Sequence, residues 1–179
     1  MSAKTKEINC YEDLIDVRDV IARFEELEET IAAEEISEDN GAQPQLDDDG
    51  KTKVVEAQCG ECGKTWNDAL ITERTPAPSA RCPYESIHEE IEEFTKLTAL
   101  LDELRGNGGD ERWKGDWYPI TLVRDSYFKD FAMQEAEDLD LIPKDAHWPA
   151  TCIDWDQATR ELQMDYTTCE FDGVTYWYR

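Results

Sequence analysis

The sequence is poor in cationic side chains and has no long apolar run. Its 179 residues contain 18 lysines and arginines against 43 aspartates and glutamates, for a formal net charge of -25. DNA and anionic membranes are bound through cationic patches, so we expect neither direct nucleic-acid binding nor membrane binding. No apolar run of about 18 residues is present, and the first residues lack the apolar core of a signal peptide. We therefore expect a cytoplasmic protein with a basic partner.

Catalytic motifs are also missing. The only histidines are His88 and His147, and the sequence has no glycine-rich phosphate loop, nucleophile elbow or His-Glu-x-x-His pair. Zinc deaminases share a C-x2-C pair with this chain, but the proline that precedes the cysteines in their Pro-Cys-x-x-Cys signature is absent. Carboxylate pairs such as Asp154 and Asp156 could bind Mg2+ as in a nuclease, yet 43 carboxylates produce such pairs by chance. We therefore expect a protein that is not an enzyme.

The composition and the charge pattern predict a folded chain with three segments. The hydrophobic fraction is 40% and there are six tryptophans, whereas disordered acidic chains are poor in aromatics. Residues 1–50 hold 16 acids and 4 bases, residues 51–84 hold 4 and 5, and residues 85–179 hold 23 and 9. We predict an acidic helix and loop over residues 1–50, a zinc-ribbon-like insert over 51–88, and an acidic helical region over 89–179 that ends in an α+β unit.

Two long helices are predicted by apolar residues three and four apart. Leu14 to Ile31 follow this spacing and predict a helix over about residues 10–35, with Asn9 and Glu12 as a capping box. Ile87 to Leu104 predict a second helix, which ends before Gly106. The helices carry acidic residues opposite their apolar stripes.

The last third of the chain predicts shorter elements. A third helix is expected within residues 121–142, stopped by Pro143, and a fourth begins after Asp154 as its N-cap. Asp172 and Gly173 predict the turn of a hairpin. The expected fold class is thus α+β, with acidic helices, a small inserted zinc-ribbon-like knuckle and a C-terminal β-hairpin.

The insert contains a set of metal-ligand residue types. Cys59 and Cys62 form a C-x2-C pair, and Cys82 and His88 follow as C-x5-H. Two such pairs hold one tetrahedral zinc ion in zinc ribbons. The insert has few large apolar residues, so metal binding would supply its folding free energy. We predict one structural Zn ion; two alternatives stay open, that His88 belongs only to the following helix and that the cysteines are free thiols in a loop.

The acidic helices predict a surface that resembles DNA in its charge. Duplex DNA carries one negative charge per about 1.7 Å of its axis. Carboxylates four residues apart on a helix are about 6 Å apart along its axis, so a helix face can present rows of charge at comparable spacing. The residues expected to contact a partner are Asp13, Asp16, Glu26, Glu29, Glu89, Glu92, Glu93 and Asp130.

The C-terminal third resembles a known family. An alanine-containing acidic helix, a linker with proline and the segment Ile153-Asp154-Trp155, followed by Arg160-Glu161-Leu162, are similar to the last domain of ArdA-type antirestriction proteins of phages and mobile elements. The resemblance covers about residues 118–179. Residues before it show no counterpart of the family's first domain and contain the cysteine knuckle.

The resemblance implies an inhibitor in the host cell cytoplasm that mimics DNA and blocks a restriction or related DNA-binding defence complex. Its partner would be a basic DNA-binding protein, and a homodimer is left open. The alternative is an adaptor whose zinc ribbon docks a nucleic-acid-handling complex, while the acidic helices only keep it in solution.

Overall fold

The computed structural model describes residues 8–38, 54–59, 61–69, 84–142, 147–148 and 150–179. The predicted α+β class and the C-terminal hairpin are confirmed. The helices of the described residues are α1 (Val17–Glu38), α2 (His88–Leu104), α3 (Phe128–Asp138) and α4 (Trp155–Gln163). The strands of the described residues are β1 (Leu14–Asp16), β2 (Val54–Gln58), β3 (Thr65–Ala69), β4 (Glu111–Trp113), β5 (Asp116–Tyr118), β6 (Thr121–Arg124), β7 (Thr167–Phe171) and β8 (Val174–Tyr178).

The chain divides into two compact units. The first unit comprises Met1–Phe24 and Lys96–Arg179, and the second comprises Glu25–Thr95. The divisions therefore fall within α1 and within α2. The segments predicted from the sequence follow the charge along the chain, whereas these units follow the contacts in space.

A four-stranded antiparallel sheet forms the framework of the first unit, in the order β1-β6-β8-β7. Alternate residues of β7 and β8 are buried, with Cys169 opposite Tyr176, as expected for strands with one face on a core. The turn between these strands has positive φ at Asp172 (49°) and Gly173 (77°). Tight hairpins need this backbone conformation, which explains why the Asp-Gly pair predicted the turn correctly.

Aromatic rings fill the core between this sheet and α3. The ring of Phe128 is fully buried, and its centroid lies 5.0 Å from that of Tyr166 and 5.5 Å from that of Trp177. The pairs meet edge to face, which is the favoured arrangement of aromatic rings. These contacts bring α3 and the C-terminal hairpin together within the first unit.

The beginning of α1 differs from the prediction. The helix starts at Val17 and not near residue 10, because Leu14–Asp16 pair with β6. Upstream, the Asn9 side chain accepts a hydrogen bond from the Tyr11 amide at 2.8 Å, which makes a turn and not a helix cap. Leu14 is 41% exposed and so lies outside the apolar stripe of the helix.

The segment before α3 also holds strands that the sequence did not reveal. β4 and β5 form a hairpin in the stretch between the second and third predicted helices, with positive φ at Lys114 (47°) and Gly115 (96°) in its turn. β6 occupies part of the stretch predicted to be the third helix. That helix begins only at Phe128, and it ends at Asp138, before Pro143, which lies outside the described residues.

The second unit contains a small apolar cluster beside the cysteine pair. Ile31 of α1 packs with Tyr84, Ile87 and Ile91, and the partly buried Cys62 packs against this cluster. β2 and β3 form an antiparallel hairpin in which Gln58 pairs with Thr65. Cys59 and Cys62 thus lie in the connection between the two strands of this hairpin.

Among the described residues, no helix combines the length and the apolar character needed to cross a membrane.

Candidate metal centre

Cys59 and Cys62 lie in the tight connection between β2 and β3. The amide of Cys59 donates to the carbonyl of Lys64 at 3.0 Å, and the amide of Gly63 donates to the carbonyl of Cys59 at 3.1 Å. Gly63 has φ of +69°, a left-handed conformation that a residue without a Cβ adopts at little cost. This glycine therefore lets the chain turn sharply enough to keep both cysteines at one end of the hairpin.

His88 completes a group of three ligand residues. It is the first residue of α2, and its Nε2 lies 3.7 Å from the Sγ of Cys59. The ligand atoms of Cys59, Cys62 and His88 all lie within 4.8 Å of one another, close enough to bind one metal ion. In a tetrahedral zinc site with normal bond lengths, sulfur and nitrogen are about 3.6 Å apart. The observed separation therefore fits a shared metal.

The three ligand residues are partly buried. The His88 side chain is 19% exposed, and Cys59 and Cys62 are both half-buried. The ammonium of Lys64 lies 5.9 Å from the centre of the Tyr84 ring, next to the apolar cluster. Burial on one side holds the ligands in place, while the other side borders on solvent.

The remaining cysteines have separate roles or positions. Cys82, the predicted partner of His88 in the second pair, lies outside the described residues. Burial raises the pKa of the Cys169 thiol to about 12, and this cysteine lies in the core, outside the ligand group formed by the described residues. Core packing is the usual role of cysteines without ligand spacing, but Cys10 is only half-buried and Cys152 is exposed.

Glu61 is a neighbour of the metal centre that the sequence did not indicate. Its Oε2 lies 3.1 Å from the Nδ1 of His88, on the nitrogen opposite to the one that faces Cys59. Spacing rules for zinc ribbons concern the ligands alone, so a glutamate between two cysteines gives no signal. Glu61 is recognised as a neighbour of the centre only from the position of His88 in the folded chain.

Comparisons with models of protein families, with curated proteins and with solved structures gave no match.

The carboxylates expected to contact a partner are divided between the two units. Asp13, Asp16 and Asp130 belong to the first unit, and the glutamates belong to the second. A hydrogen bond from Arg18 lowers the pKa of Asp16, so this carboxylate is already engaged. Asp13 lies 3.6 Å from Arg124. The others are exposed (Glu29, Glu89, Glu92, Asp130) or half-buried (Glu26, Glu93).

Trp155–Gln163 form α4, which contains Arg160, Glu161 and Leu162. Asp154 caps this helix, because its Oδ1 accepts a hydrogen bond from the Gln157 amide at 3.0 Å, and the predicted cap is thus confirmed. Lys129 of α3 donates to Asp156 at 2.6 Å, which links the two helices. The hydrogen bond from Lys129 is the main cause of the lowered pKa of Asp156, and the charge of Arg160 contributes less.

Proposed function

We propose that this protein is a non-enzymatic acidic inhibitor, encoded by a phage or mobile element, that binds a basic DNA-binding defence complex by presenting DNA-like charge. The observation that carries the proposal concerns the contacts of the cationic side chains in the first unit. Eight cations among its described residues are paired with the chain's own carboxylates or lie over its aromatic rings, and the whole chain carries a net charge of -25. The ion pairs are Arg18–Asp16, Lys96–Asp172, Arg105–Asp102, Arg124–Asp13 and Lys129–Asp156, and the ring contacts are Arg112–Trp117, Lys114–Trp113 and Arg179–Tyr166.

This arrangement favours a cationic partner. Cations paired with carboxylates of the same chain are less available for a patch that binds DNA or anionic lipid, and the surplus carboxylates give the surface a negative potential. A negative potential speeds encounter with a basic protein and repels nucleic acid. The resemblance of residues 118–179 to ArdA-type antirestriction proteins supplies the class of target.

The proposal includes one structural Zn ion and no catalytic step. Two thiolates and one imidazole are ligands that suit zinc, and Cys82 would complete a Cys3His set. Four protein ligands leave no open position for a substrate or an activated water. The bound ion would hold the β2–β3 connection to the first turn of α2 within the second unit.

A displacement experiment tests the inhibitor. A purified restriction complex is bound to fluorescent DNA that carries its recognition site, and the protein is added at about 50 mM and about 200 mM salt. We expect displacement of the DNA, with an affinity that falls steeply with salt because counterions are exchanged on binding. The absence of displacement at low salt from a panel of such complexes, or displacement that is insensitive to salt, would contradict the proposal.

The metal centre favours one alternative, a zinc-ribbon adaptor. Glu61, in the connection between the two cysteines, has an 83% exposed side chain, so this turn is accessible to another protein. The adaptor predicts that Cys59→Ser abolishes binding to a captured complex while reversal of acidic residues has little effect. The inhibitor predicts the opposite order of effects.

A further inference from the structure

The carboxylate of Glu61 contacts the side of the His88 ring that faces away from the cysteines. Its Oε2 is 3.1 Å from Nδ1, whereas Nε2 is 3.7 Å from the Sγ of Cys59. An imidazole ligates a metal through one nitrogen, so Nε2 is the metal-facing atom and Glu61 is not itself a ligand. We propose that Glu61 is a positioning residue of the metal centre, which accepts a hydrogen bond from Nδ1–H of His88 and presents Nε2 to the metal. This inference rests on the zinc ion included in the proposed function.

The chemistry of the ring explains why such a contact matters. A neutral imidazole has one N–H and one lone pair, and either nitrogen can hold the proton. A carboxylate only accepts hydrogen bonds, so Glu61 selects the tautomer with the proton on Nδ1 and the lone pair on Nε2. The same hydrogen bond fixes the angle of the ring relative to the metal. Loss of such partners in metal sites typically lowers metal affinity about 10- to 100-fold.

The position of Glu61 in the chain makes the contact reproducible despite its exposure. Its side chain is 83% exposed, so water competes for the hydrogen bond. However, Glu61 lies between Cys59 and Cys62, and its backbone is held by the same turn that holds both ligands. Because water screens the contact, we expect an effect near the lower end of that range, about tenfold.

Zinc affinity and the state of the His88 ring test the proposal in the full chain. Zinc dissociation constants are measured by chelator competition for the wild type, Glu61→Ala, Glu61→Gln and Glu89→Ala. Glu89 is the matched control, since it is exposed, adjacent to His88 in sequence and of the same charge. We expect about tenfold weaker zinc binding for Glu61→Ala, a smaller loss for Glu61→Gln, whose amide oxygen still accepts a hydrogen bond, and a change of less than about twofold for Glu89→Ala.

The second readout is the ring itself, observed by long-range nitrogen–proton NMR of zinc-loaded protein. In the wild type we expect the proton on Nδ1 and the metal on Nε2, with an Nδ1 proton signal that shifts upfield and exchanges faster in Glu61→Ala. A purely structural role of Glu61 would not move that signal selectively.

The outcomes separate this inference from the zinc assignment. Zinc bound through Nδ1, unchanged affinity in Glu61→Ala, or an equal loss in Glu89→Ala would each overturn the role of Glu61 while leaving the zinc site intact. A wild-type chain that binds no zinc would overturn the zinc assignment and this inference together. A selective loss in Glu61→Ala with a partial loss in Glu61→Gln supports both.

Discussion

The hydroxyl of Tyr176 lies 2.7 Å from the carbonyl oxygen of Cys10, a residue 166 positions earlier in the chain. The carbonyl of Glu12 is also within reach, at 2.9 Å, so the one phenolic proton serves two acceptors. Tyr176 is fully buried in β8. This contact ties the segment before β1 to the C-terminal hairpin within the first unit.

Tyr176→Phe is expected to destabilise the protein by about 1–3 kcal/mol, because two partly buried carbonyl groups lose their donor. The free energy of unfolding from urea titrations measures the change. Tyr11→Phe is the control, since the Tyr11 side chain is 72% exposed, and its effect should stay within about 0.5 kcal/mol. Equal effects of the two substitutions would show that the Tyr176 hydroxyl does not hold the N-terminal segment.

Stability should decrease at alkaline pH. Burial raises the pKa of Tyr176 from 10.0 to about 12, and burial raises the pKa of Cys169 from 9.0 to about 12. Both groups keep their protons to higher pH in the folded state than in the unfolded state. The stability that they contribute is therefore fully present below pH 9. It is lost as the pH rises toward 12.

Unfolding free energies at pH 8, 10 and 11 test this expectation. The decline between pH 10 and 11 should be smaller in Tyr176→Phe than in the wild type, because the variant has no phenol to titrate at that site. Parallel declines in the two proteins would contradict the role of Tyr176.

The metal centre predicts a defined zinc content. Protein purified without chelators should contain about one zinc per chain by elemental analysis, and Cys59→Ser should lose most of it, because a thiolate ligand is removed. Cys152→Ser should retain the metal, since Cys152 is exposed and lies outside the ligand group. A wild-type content below about 0.2 zinc per chain would contradict the prediction of a structural zinc ion.

The cap of α4 can be tested by two substitutions at one position. Asp154→Ala should cost about 1 kcal/mol of stability, because the Gln157 amide loses its acceptor. Asp154→Asn should cost less, since asparagine also caps helices well. Thermal unfolding of both variants measures the difference, and a larger loss in the asparagine variant would point to the charge of Asp154 and not to its hydrogen bond.

Local signals predicted those parts of the fold that depend on neighbours in sequence. The capping by Asp154 and the turn at Asp172 and Gly173 involve residues within a few positions, so their residue types are informative. β1 could not be predicted in this way. It has three residues, and its identity as a strand comes from pairing with β6 more than a hundred positions later.

The residues of the candidate site also differ in whether neighbours in the sequence identify them. The C-x2-C spacing indicated Cys59 and Cys62, because both ligands lie on one turn. The proximity of His88 was an inference from residue type, since 29 positions separate it from Cys59. Glu61 was missed because its contact exists only after α2 and the β2–β3 connection meet in the second unit.

Exposed carboxylates of each unit provide a test of the proposed charge mimicry. Reversal of Glu29, Glu89, Glu92 and Asp130 together to lysine should weaken displacement of DNA from a restriction complex at least tenfold and reduce its dependence on salt. All four residues are exposed, so the fold should tolerate the changes. Replacement of the same residues by glutamine removes the charges without reversing them and should give an intermediate affinity. Single reversals should have small effects, because individual exposed charge pairs contribute only about 0–1 kcal/mol.

Circular dichroism and zinc content serve as controls for folding. If the folded lysine variant displaced DNA at wild-type concentrations, these carboxylates would not contact the partner. If the further reversal of Asp13, Glu26 and Glu93 also had no effect, charge mimicry itself would be excluded.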